Sequence, residues 1–343
     1  MSVKKNFSNK LQTGWALVSM LVIAALFLSG CGAAQQAKVY KVGVLSGLDT
    51  FSPTFDGFKS KMTELGYIEG QNITYDVQST NVDIAVYKSF AKKFVDEKVD
   101  LILSYPTEAS MEAKTAIQGT NISLVFTNSF TDVKGMDLIK SVREPGGNVT
   151  GVRFPSVDIA SKRMEILLQL VPNAKKIFVP FLKNYPNVPS QLDAVRPLAA
   201  SKGIALIEFG AASPQELQAK LDSLIAPGGG GIDAILMLAE PLGDTDVFYS
   251  VLGKFAYDHM VPIGGDIMSV GKDYGSVFGL KPDPKTTGVQ AALLADKIFK
   301  GTTAGTIPVI TSESYFRIDY KAAQALGVTV PDGLLKQADE VLR

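Results

Sequence analysis

Short apolar runs and amphipathic stretches alternate along this 343-residue chain from Val39 onward, and several of the amphipathic stretches end at a glycine. The apolar runs predict buried strands, and the amphipathic stretches predict helices with one apolar face. Such alternation is typical of βα units around a parallel sheet. In the first part of the chain it predicts a four-stranded sheet, with strands at residues 39–45, 73–77, 101–103 and 124–126. Helices are expected to begin at Ser52-Pro53, after the cap Asp83, and at Thr107.

Two interruptions divide the pattern, the first at Pro145-Gly146-Gly147-Asn148 and the second at Lys281-Pro282-Asp283-Pro284. Residues 149–154 follow the first interruption and are predicted to be an extended crossover without a helix of their own. A second sheet is then expected, with helices at 158–170, 191–201, 214–225 and 248–257, and strands at 176–179, 204–209, 234–238, 261–263 and 276–280. After the second interruption we expect a helix at 287–299, an extended segment at 309–318 and two short terminal helices.

Two α/β lobes joined by several extended crossovers form a clamshell, and the chain is long enough for two such lobes. We expect the amino-terminal lobe to contain residues 38–148 and roughly 285–307. The carboxy-terminal lobe would contain residues 149–284 and roughly 308–343. Because ligands of open α/β sheets bind at the carboxyl ends of the strands, the cleft between the lobes is the expected binding site.

The amino terminus carries a second strong signal. Three lysines among the first ten residues precede an apolar stretch at 15–28, which ends in Leu28-Ser29-Gly30-Cys31. This order is typical of a secretory signal peptide at residues 1–30, and its spacing is similar to the prokaryotic lipobox. Cys31 would then become the lipidated first residue, followed by a tether at residues 31–37. The alternatives are an uncleaved anchor, although the stretch is shorter than the ~20 residues a spanning helix needs, and a buried structural thiol.

Composition argues against several classes of function. The 34 Lys and Arg residues balance the 34 Asp and Glu residues, so nothing favours nucleic-acid binding. Cys31 is the sole cysteine and rules out an intramolecular disulfide. His259 is the sole histidine and is expected to be exposed near a helix end, so a histidine-based triad or metal cluster is disfavoured. With no G-x-S-x-G elbow and no phosphate-binding loop, we expect no enzyme, no cofactor and no metal site.

Several motifs carry a resemblance to one family across essentially the whole chain after the signal peptide. The sequence resembles the substrate-binding lipoproteins of ABC transporters that include the tryptophan/tyrosine-binding type. The motifs are Glu144-Pro145-Gly146-Gly147-Asn148-Val149-Thr150-Gly151, Lys162-x-x-Glu165-x-Leu167-Leu168-x-x-Val171-Pro172, Ala322-Ala323-x-x-Leu326-Gly327-Val328-x-Val330-Pro331, Gly66-Tyr67-x-Glu69-Gly70-x-Asn72 and Gly288-x-Gln290-Ala291-Ala292.

The resemblance implies a two-lobed clamshell of the periplasmic-binding-protein type, similar to type I. It also implies an extracytoplasmic solute-binding lipoprotein that captures a small solute, such as an aromatic or related amino acid. The implied partners are the solute, an ABC permease with its cytoplasmic ATPase, and the cell membrane, to which the lipid anchors a monomer on the outer face or periplasmic side. A ligand-sensing receptor subunit for a membrane sensor is the alternative, and an extracytoplasmic α/β enzyme is a third possibility that rests on the fold alone.

The candidate ligand contacts follow the predicted strands. Thr107 and the N–H groups behind it could receive a ligand carboxylate, or Thr107 could be only a helix cap. Glu240 and Asp266 could receive an ammonium group, or they could be ordinary loop carboxylates. Phe130 and Tyr185 are further candidates for apolar walls. The full set of predicted ligand-binding residues is Ser46, Asp49, Phe51, Tyr105, Thr107, Asn128, Ser129, Phe181, Glu240 and Asp266.

Overall fold

The computed structural model describes residues 38–133, 135–243, 246–266, 269–270 and 274–343. The predicted signal peptide, Cys31 and the tether through residue 37 lie outside these described residues. Lys41–Arg343 form one compact unit. Among the described residues, no helix has both the length and the apolar character needed to cross a membrane.

Strands and helices alternate through most of the chain, as the sequence predicts. The strands are β1 (Tyr40–Gly47), β2 (Ile73–Thr80), β3 (Leu101–Ser104), β4 (Ser123–Ser129), β5 (Val149–Arg153), β6 (Lys176–Leu182), β7 (Ala205–Ala211), β8 (Ala234–Leu236), β9 (Ile263–Gly264), β10 (Ser269–Val270), β11 (Tyr274–Gly275), β12 (Phe278–Pro282), β13 (Ile310–Thr311), β14 (Ser314–Asp319) and β15 (Glu340–Leu342). The helices are α1 (Pro53–Glu64), α2 (Ile84–Asp96), α3 (Thr107–Ala116), α4 (Ser156–Leu170), α5 (Val188–Ser201), α6 (Pro214–Ile225), α7 (Asp246–Asp258), α8 (Pro284–Phe299), α9 (Tyr320–Ala325) and α10 (Asp332–Gln337).

Local signals explain several helix boundaries. The side chain of Asp83 caps α2 by accepting a hydrogen bond of 3.1 Å from the Val86 N–H. Proline occupies the first position of α1, where its missing N–H leaves no hydrogen bond unmade. The predicted helix at 214–225 has the same bounds as α6, whose cap Ser213 accepts from the Glu216 N–H. His259 is exposed just beyond α7, as predicted.

The first lobe contains a six-stranded sheet in the order β13-β5-β4-β3-β1-β2. The prediction of four strands was wrong, because β5 and β13 extend the sheet on the β4 side. The expected lobe boundary at residue 148 therefore moves to the end of β5. Val149 and Val152 are buried in this sheet, whereas the next helix, α4, packs against α5, β8 and β12 of the second lobe. The chain thus changes lobes between a strand and its following helix.

The second lobe contains a parallel four-stranded sheet in the order β7-β6-β8-β9 and a separate three-stranded sheet in the order β12-β14-β15. The sequence analysis placed residues 276–280 in one sheet with the preceding strands. The strand β12 instead pairs antiparallel with β14. An isolated bridge between Gly265 and Gly279, and a hydrogen bond of 2.8 Å from the Val277 N–H to the Ile263 carbonyl, join it to the β9 region. The short carboxy-terminal strand β15, which pairs parallel with β14, was not predicted.

Within the described residues the chain passes between the lobes at three places, which we name the first, second and third crossovers. The first, Phe154–Pro155, joins β5 to α4, and the second, at Asp283, joins β12 to α8. The third, at residues 312–313, joins β13 to β14. The first and third are adjacent, because the Ser312 N–H donates to the Arg153 carbonyl at 3.0 Å. Such parallel crossovers suit hinge motion of two lobes.

The helices α1 and α8 pack closely on the first lobe although the whole second lobe separates them in sequence. Two glycines permit this approach. A Cβ at Gly288 would lie less than 3.0 Å from the Thr54 carbonyl oxygen, and one at Gly57 would meet the Lys285 carbonyl oxygen. In both cases the obstructing atom is backbone and cannot rotate away. The return of the chain to the first lobe after the second crossover therefore depends on these two positions.

We expect Gly288→Ala to reduce the free energy of unfolding by about 1–3 kcal/mol, because it forces α1 and α8 apart. Urea denaturation followed by circular dichroism measures the change. Gly333→Ala is the control, since a Cβ at Gly333 in α10 would meet no heavy atom within 4 Å. Equal stabilities for the two variants would contradict this account of the helix contact.

Candidate functional site

A cavity of about 260 Å³ lies between the two lobes, at the carboxyl ends of the parallel strands. Its first-lobe walls come from the segments after β1, β2, β3 and β4, and its second-lobe walls from the end of β6 and the segments after β6, β8 and β9. The first and second crossovers complete it. The described lining residues are Leu48, Thr50, Phe51, Val82, Pro106, Glu108, Asn128, Phe130, Phe154, Leu182, Tyr185, Ala239, Glu240, Pro241, Asp266, Lys281, Pro282 and Pro284.

Aromatic side chains from both lobes meet at the cavity. The Phe130 ring from the first lobe lies edge-on to Phe154 of the first crossover, with ring centroids 5.5 Å apart. It also lies edge-on to Tyr185 of the second lobe, at 6.4 Å. Edge-to-face pairs at this separation are favourable and leave ring faces for a ligand. The wall they form changes shape whenever the lobes move relative to each other.

Asn128 reaches the cavity through an irregularity in β4. The pairing of β4 with β5 shifts register between Phe126 and Ser129, and Asn128 has a φ of 46°, in the left-handed region that asparagine tolerates better than most residues. Its side-chain amide donates to the Thr54 hydroxyl at 3.0 Å. Bulges of this kind often redirect a side chain toward a site. The regular apolar pattern of β4 gave no signal for it.

Glu240 is a buried carboxylate that follows β8. Its Oε2 accepts from the backbone N–H groups of Leu182 at 3.3 Å and Leu242 at 3.1 Å. Leu182 ends β6, so Glu240 ties two neighbouring strand ends together. Backbone donors stabilise the ionised form of a carboxylate and hold it in one orientation. The cavity therefore contains a fixed anionic group on its second-lobe side.

Asp266, which follows β9, is buried between two cations. Its Oδ2 accepts from Arg163 at 3.0 Å, and its Oδ1 lies 3.2 Å from the Lys281 ammonium nitrogen. Arg163 is fully buried and does not line the cavity, whereas Lys281 does. Among the described lining residues Lys281 is the only cation. The sequence analysis included Asp266 but missed both of its partners.

Four of the ten predicted ligand-binding residues line the cavity, namely Phe51, Asn128, Glu240 and Asp266. The predicted apolar walls Phe130 and Tyr185 also line it, whereas Asp49 is exposed outside the lining. Ser46, Tyr105, Thr107, Ser129 and Phe181 are also outside the lining.

 The role of Phe51, Asn128, Glu240 and Asp266 as ligand contacts stays a prediction.

The pleat of the strands explains two of the differences, at Ser129 and Phe181. Adjacent residues at a strand end point to opposite faces, so Asn128 and Phe130 line the cavity while Ser129 between them does not. The Ser129 hydroxyl instead lies 2.9 Å from the Ser110 hydroxyl, in a buried chain of serines. Phe181 and Leu182 show the same alternation, with Leu182 at the cavity. At these two strand ends the sequence analysis chose the residue whose side chain points away from the cavity.

Thr107 has a structural role in the described molecule. It is buried, and its hydroxyl oxygen accepts from the Phe130 N–H at 3.1 Å, which holds the aromatic wall in place. The next residue, Glu108, lines the cavity in the first turn of α3. Burial raises the pKa of the Glu108 carboxyl above its ordinary value. The sequence analysis missed three residues that bring a carboxyl group, an ammonium group and an aromatic ring to the cavity, namely Glu108, Lys281 and Phe154.

Within the described residues, no group of three or more His, Cys, Asp and Glu side chains could hold a metal ion. The polar side chains that line the cavity carry carboxylates, one ammonium group, the amide of Asn128 and the hydroxyls of Thr50 and Tyr185, and they are set in a largely apolar wall. This composition is typical of sites that bind a small organic molecule through a few polar contacts.

Known proteins with the same architecture give this cavity its context. The crystal structure of an ABC domain in complex with L-Trp from Streptococcus pneumoniae superposes with a TM-score of 0.74 at 23% identity, covering 89% of this chain and 100% of that one. The ligand-free, open structure of a substrate-binding protein with adhesive properties from Clostridium difficile gives a TM-score of 0.71 at 24% identity, covering 89% and 99%. These likenesses establish the two-lobed fold.

Sequence comparison adds the family. A tyrosine-binding protein from Clostridioides difficile strain R20291 is 30% identical over 257 residues, which are 74% of this chain and 70% of that protein. Residues 41–342 match the family described as ABC transporter substrate binding protein. The chain therefore belongs to the substrate-binding proteins of ABC transporters, which bind a small molecule outside the cytoplasm and work with a membrane permease and its ATPase.

Proposed function

We propose that this protein binds a free amino acid with an aromatic or other apolar side chain in the cavity between its lobes and delivers it to an ABC permease. The observation that carries the proposal is a cavity with an aromatic wall and two charged groups of opposite sign, Glu240 and Lys281, on its second-lobe side. The tyrosine-binding relative and the L-Trp complex support the same class of solute.

The charges favour a zwitterion over a neutral solute. Lys281 is suited to receive the solute's carboxylate, and Glu240 is suited to receive its ammonium group. A zwitterion would bring an opposite charge to each of these two groups in a largely apolar cleft, whereas a solute without charges would bring none. A neutral sugar is therefore disfavoured by the same groups that attract an amino acid.

This proposal changes the role that the sequence analysis gave to Asp266. Both of its carboxylate oxygens lie beside cations, Arg163 on one side and Lys281 on the other. Its negative charge is therefore already compensated, and Glu240 is the better partner for an ammonium group. Asp266 would instead hold Lys281 in place for the solute's carboxylate.

The aromatic wall supports the apolar part of the proposal. Phe130, Phe154 and Tyr185 belong to the first lobe, the first crossover and the second lobe. A solute side chain placed against all three would bury apolar surface only when the lobes are close together. Binding would then favour the closed arrangement, as in hinge closure around a ligand. Capture and delivery of a solute include no covalent step, so these binding contacts and the closure of the lobes are sufficient for the proposed function.

We also propose that Cys31 carries a lipid and anchors the protein to the extracytoplasmic face of the membrane. The support is the lipobox-like Leu28-Ser29-Gly30-Cys31 and the basic, then apolar, segment before it. More than one acyl chain gives a lasting anchor, because each buried methylene contributes about 0.8 kcal/mol. An anchored binding protein stays close to its permease.

The proposed function predicts that L-tryptophan or L-tyrosine binds in isothermal titration calorimetry, and that Lys281→Met and Glu240→Gln each weaken binding by about 10- to 100-fold. That range corresponds to the loss of one hydrogen bond between charged groups. Lys202→Met, at an exposed position after α5, is the matched control and should bind as the wild type does. Unchanged affinity in both cavity variants would contradict the assignment.

A second prediction concerns Glu108 and pH. Because its pKa is raised in the folded protein, ionisation of the carboxyl opposes folding, and stability falls as pH rises from the ordinary value of 4.5 through the raised one. Glu108→Gln removes this effect and should melt at a higher temperature than the wild type at pH 7 but not at pH 4. Glu112→Gln, also in α3, is the control. Melting curves of Glu108→Gln and wild type that keep the same separation at every pH would contradict the prediction.

A third prediction tests the anchor. Cys31→Ser should release the protein from the membrane fraction into the soluble fraction while the affinity for the solute stays within experimental error of the wild type. Fractionation followed by calorimetry measures both properties. Retention of Cys31→Ser in the membrane, or a large loss of affinity, would contradict the division between anchor and binding body.

A further inference from the structure

Arg163 is a charged residue inside the core of the second lobe, and binding of a solute by the cavity residues alone does not require it. It lies on α4 with a fully buried side chain, among apolar residues such as Ile159, Met164 and Leu167. Desolvation of a buried guanidinium is strongly unfavourable unless its donors are satisfied. The position therefore calls for an explanation beyond packing.

The guanidinium joins three segments of the second lobe. Its Nε donates to the Leu280 carbonyl at 2.9 Å and its Nη1 to the Met237 carbonyl at 3.1 Å. Its Nη2 donates to Asp266 Oδ2 at 3.0 Å. Met237 follows β8, Asp266 follows β9, and Leu280 lies in β12 just before the second crossover. One side chain thus fixes two strand ends at the cavity and the strand that leads to the hinge.

Lys281 is held by this network in two ways. Lys281 directly follows Leu280, and Arg163 donates a hydrogen bond to the Leu280 carbonyl. The Lys281 ammonium nitrogen also lies 3.2 Å from Asp266 Oδ1, while Arg163 donates to Asp266 Oδ2. Long lysine side chains lose considerable rotamer freedom when they are held in one place. A network that holds Lys281 before the solute arrives reduces that loss on binding.

We propose that Arg163 is a positioning residue for the solute's carboxylate: through Asp266 and the Leu280 carbonyl it orients the Lys281 ammonium group at the cavity. The inference rests on the proposed function, because it takes Lys281 as the partner of a carboxylate. Arg163 itself does not contact the solute. Without Arg163 the cavity walls would stay in place, but the ion pair between Lys281 and Asp266 would no longer be held in one orientation.

The test compares a solute with its uncharged-carboxyl analogue, L-tryptophan and L-tryptophanamide, by calorimetry. Arg163→Met should weaken binding of the acid by about 10-fold or more and binding of the amide by much less, so that the acid-to-amide affinity ratio falls. Lys281→Met should lower the same ratio, and the double variant should be no worse than Lys281→Met alone. Arg163→Lys keeps a positive charge beside Asp266, so its acid-to-amide affinity ratio should lie between those of the wild type and Arg163→Met.

A purely structural role predicts a different result. Ile166→Ala, a buried position on the same helix, should lower the melting temperature without changing the acid-to-amide ratio. If Arg163→Met behaves as Ile166→Ala does, or if its effect adds fully to that of Lys281→Met, the proposal is overturned.

A measurement without ligand separates this inference from the proposed function. If the wild type binds neither probe, the proposed function fails, and hydrogen exchange of residues 278–283 still tests the network. Arg163→Met should accelerate exchange there relative to Ile166→Ala at equal global stability. Equal exchange in the two variants would overturn the positioning role of Arg163 independently of any solute.

Discussion

The described part of the chain crosses between the two lobes three times, and this constraint determines where the remaining parts of the molecule lie. The first and third crossovers run side by side, joined by the Ser312–Arg153 backbone hydrogen bond. The second crossover returns the chain to the first lobe, where α8 packs on α1 through two glycines. Parallel strands direct their carboxyl ends toward one edge of each sheet. Once the crossovers bring these edges together, a cavity between them follows from the topology.

The chemistry of that cavity depends on how its charges are compensated. A buried carboxylate or ammonium group must be paired or hydrogen-bonded, and the second lobe meets this requirement in two ways. Backbone N–H groups hold Glu240, and Arg163 with Lys281 holds Asp266. Asp266, which lies beside two cations, is therefore less suited than Glu240 to attract an ammonium group. This distinction assigns different roles to two residues that look alike in the sequence.

The fold was largely predictable, because strand and helix periodicity is a local property of the sequence. The membership of β5 and β13 in the first sheet was not, since pairing between strands far apart in the chain leaves no local signal. At the site, the sequence directs attention to the segments after the strands, whereas the pleat and the bulge at Asn128 decide which of their side chains face the cavity. The part these residues take in binding stays a prediction. The sequence does contain a signal for Arg163, because it is a charged residue among apolar residues on one face of a predicted helix.

The proposal that the cavity accepts a zwitterionic amino acid can be tested directly by native mass spectrometry of the protein isolated without denaturation, followed by identification of any released small molecule. The account predicts that one amino acid is bound per chain, and that Lys281→Met loses it while Lys202→Met keeps it. A neutral solute such as a sugar, retained equally by both variants, would contradict the account.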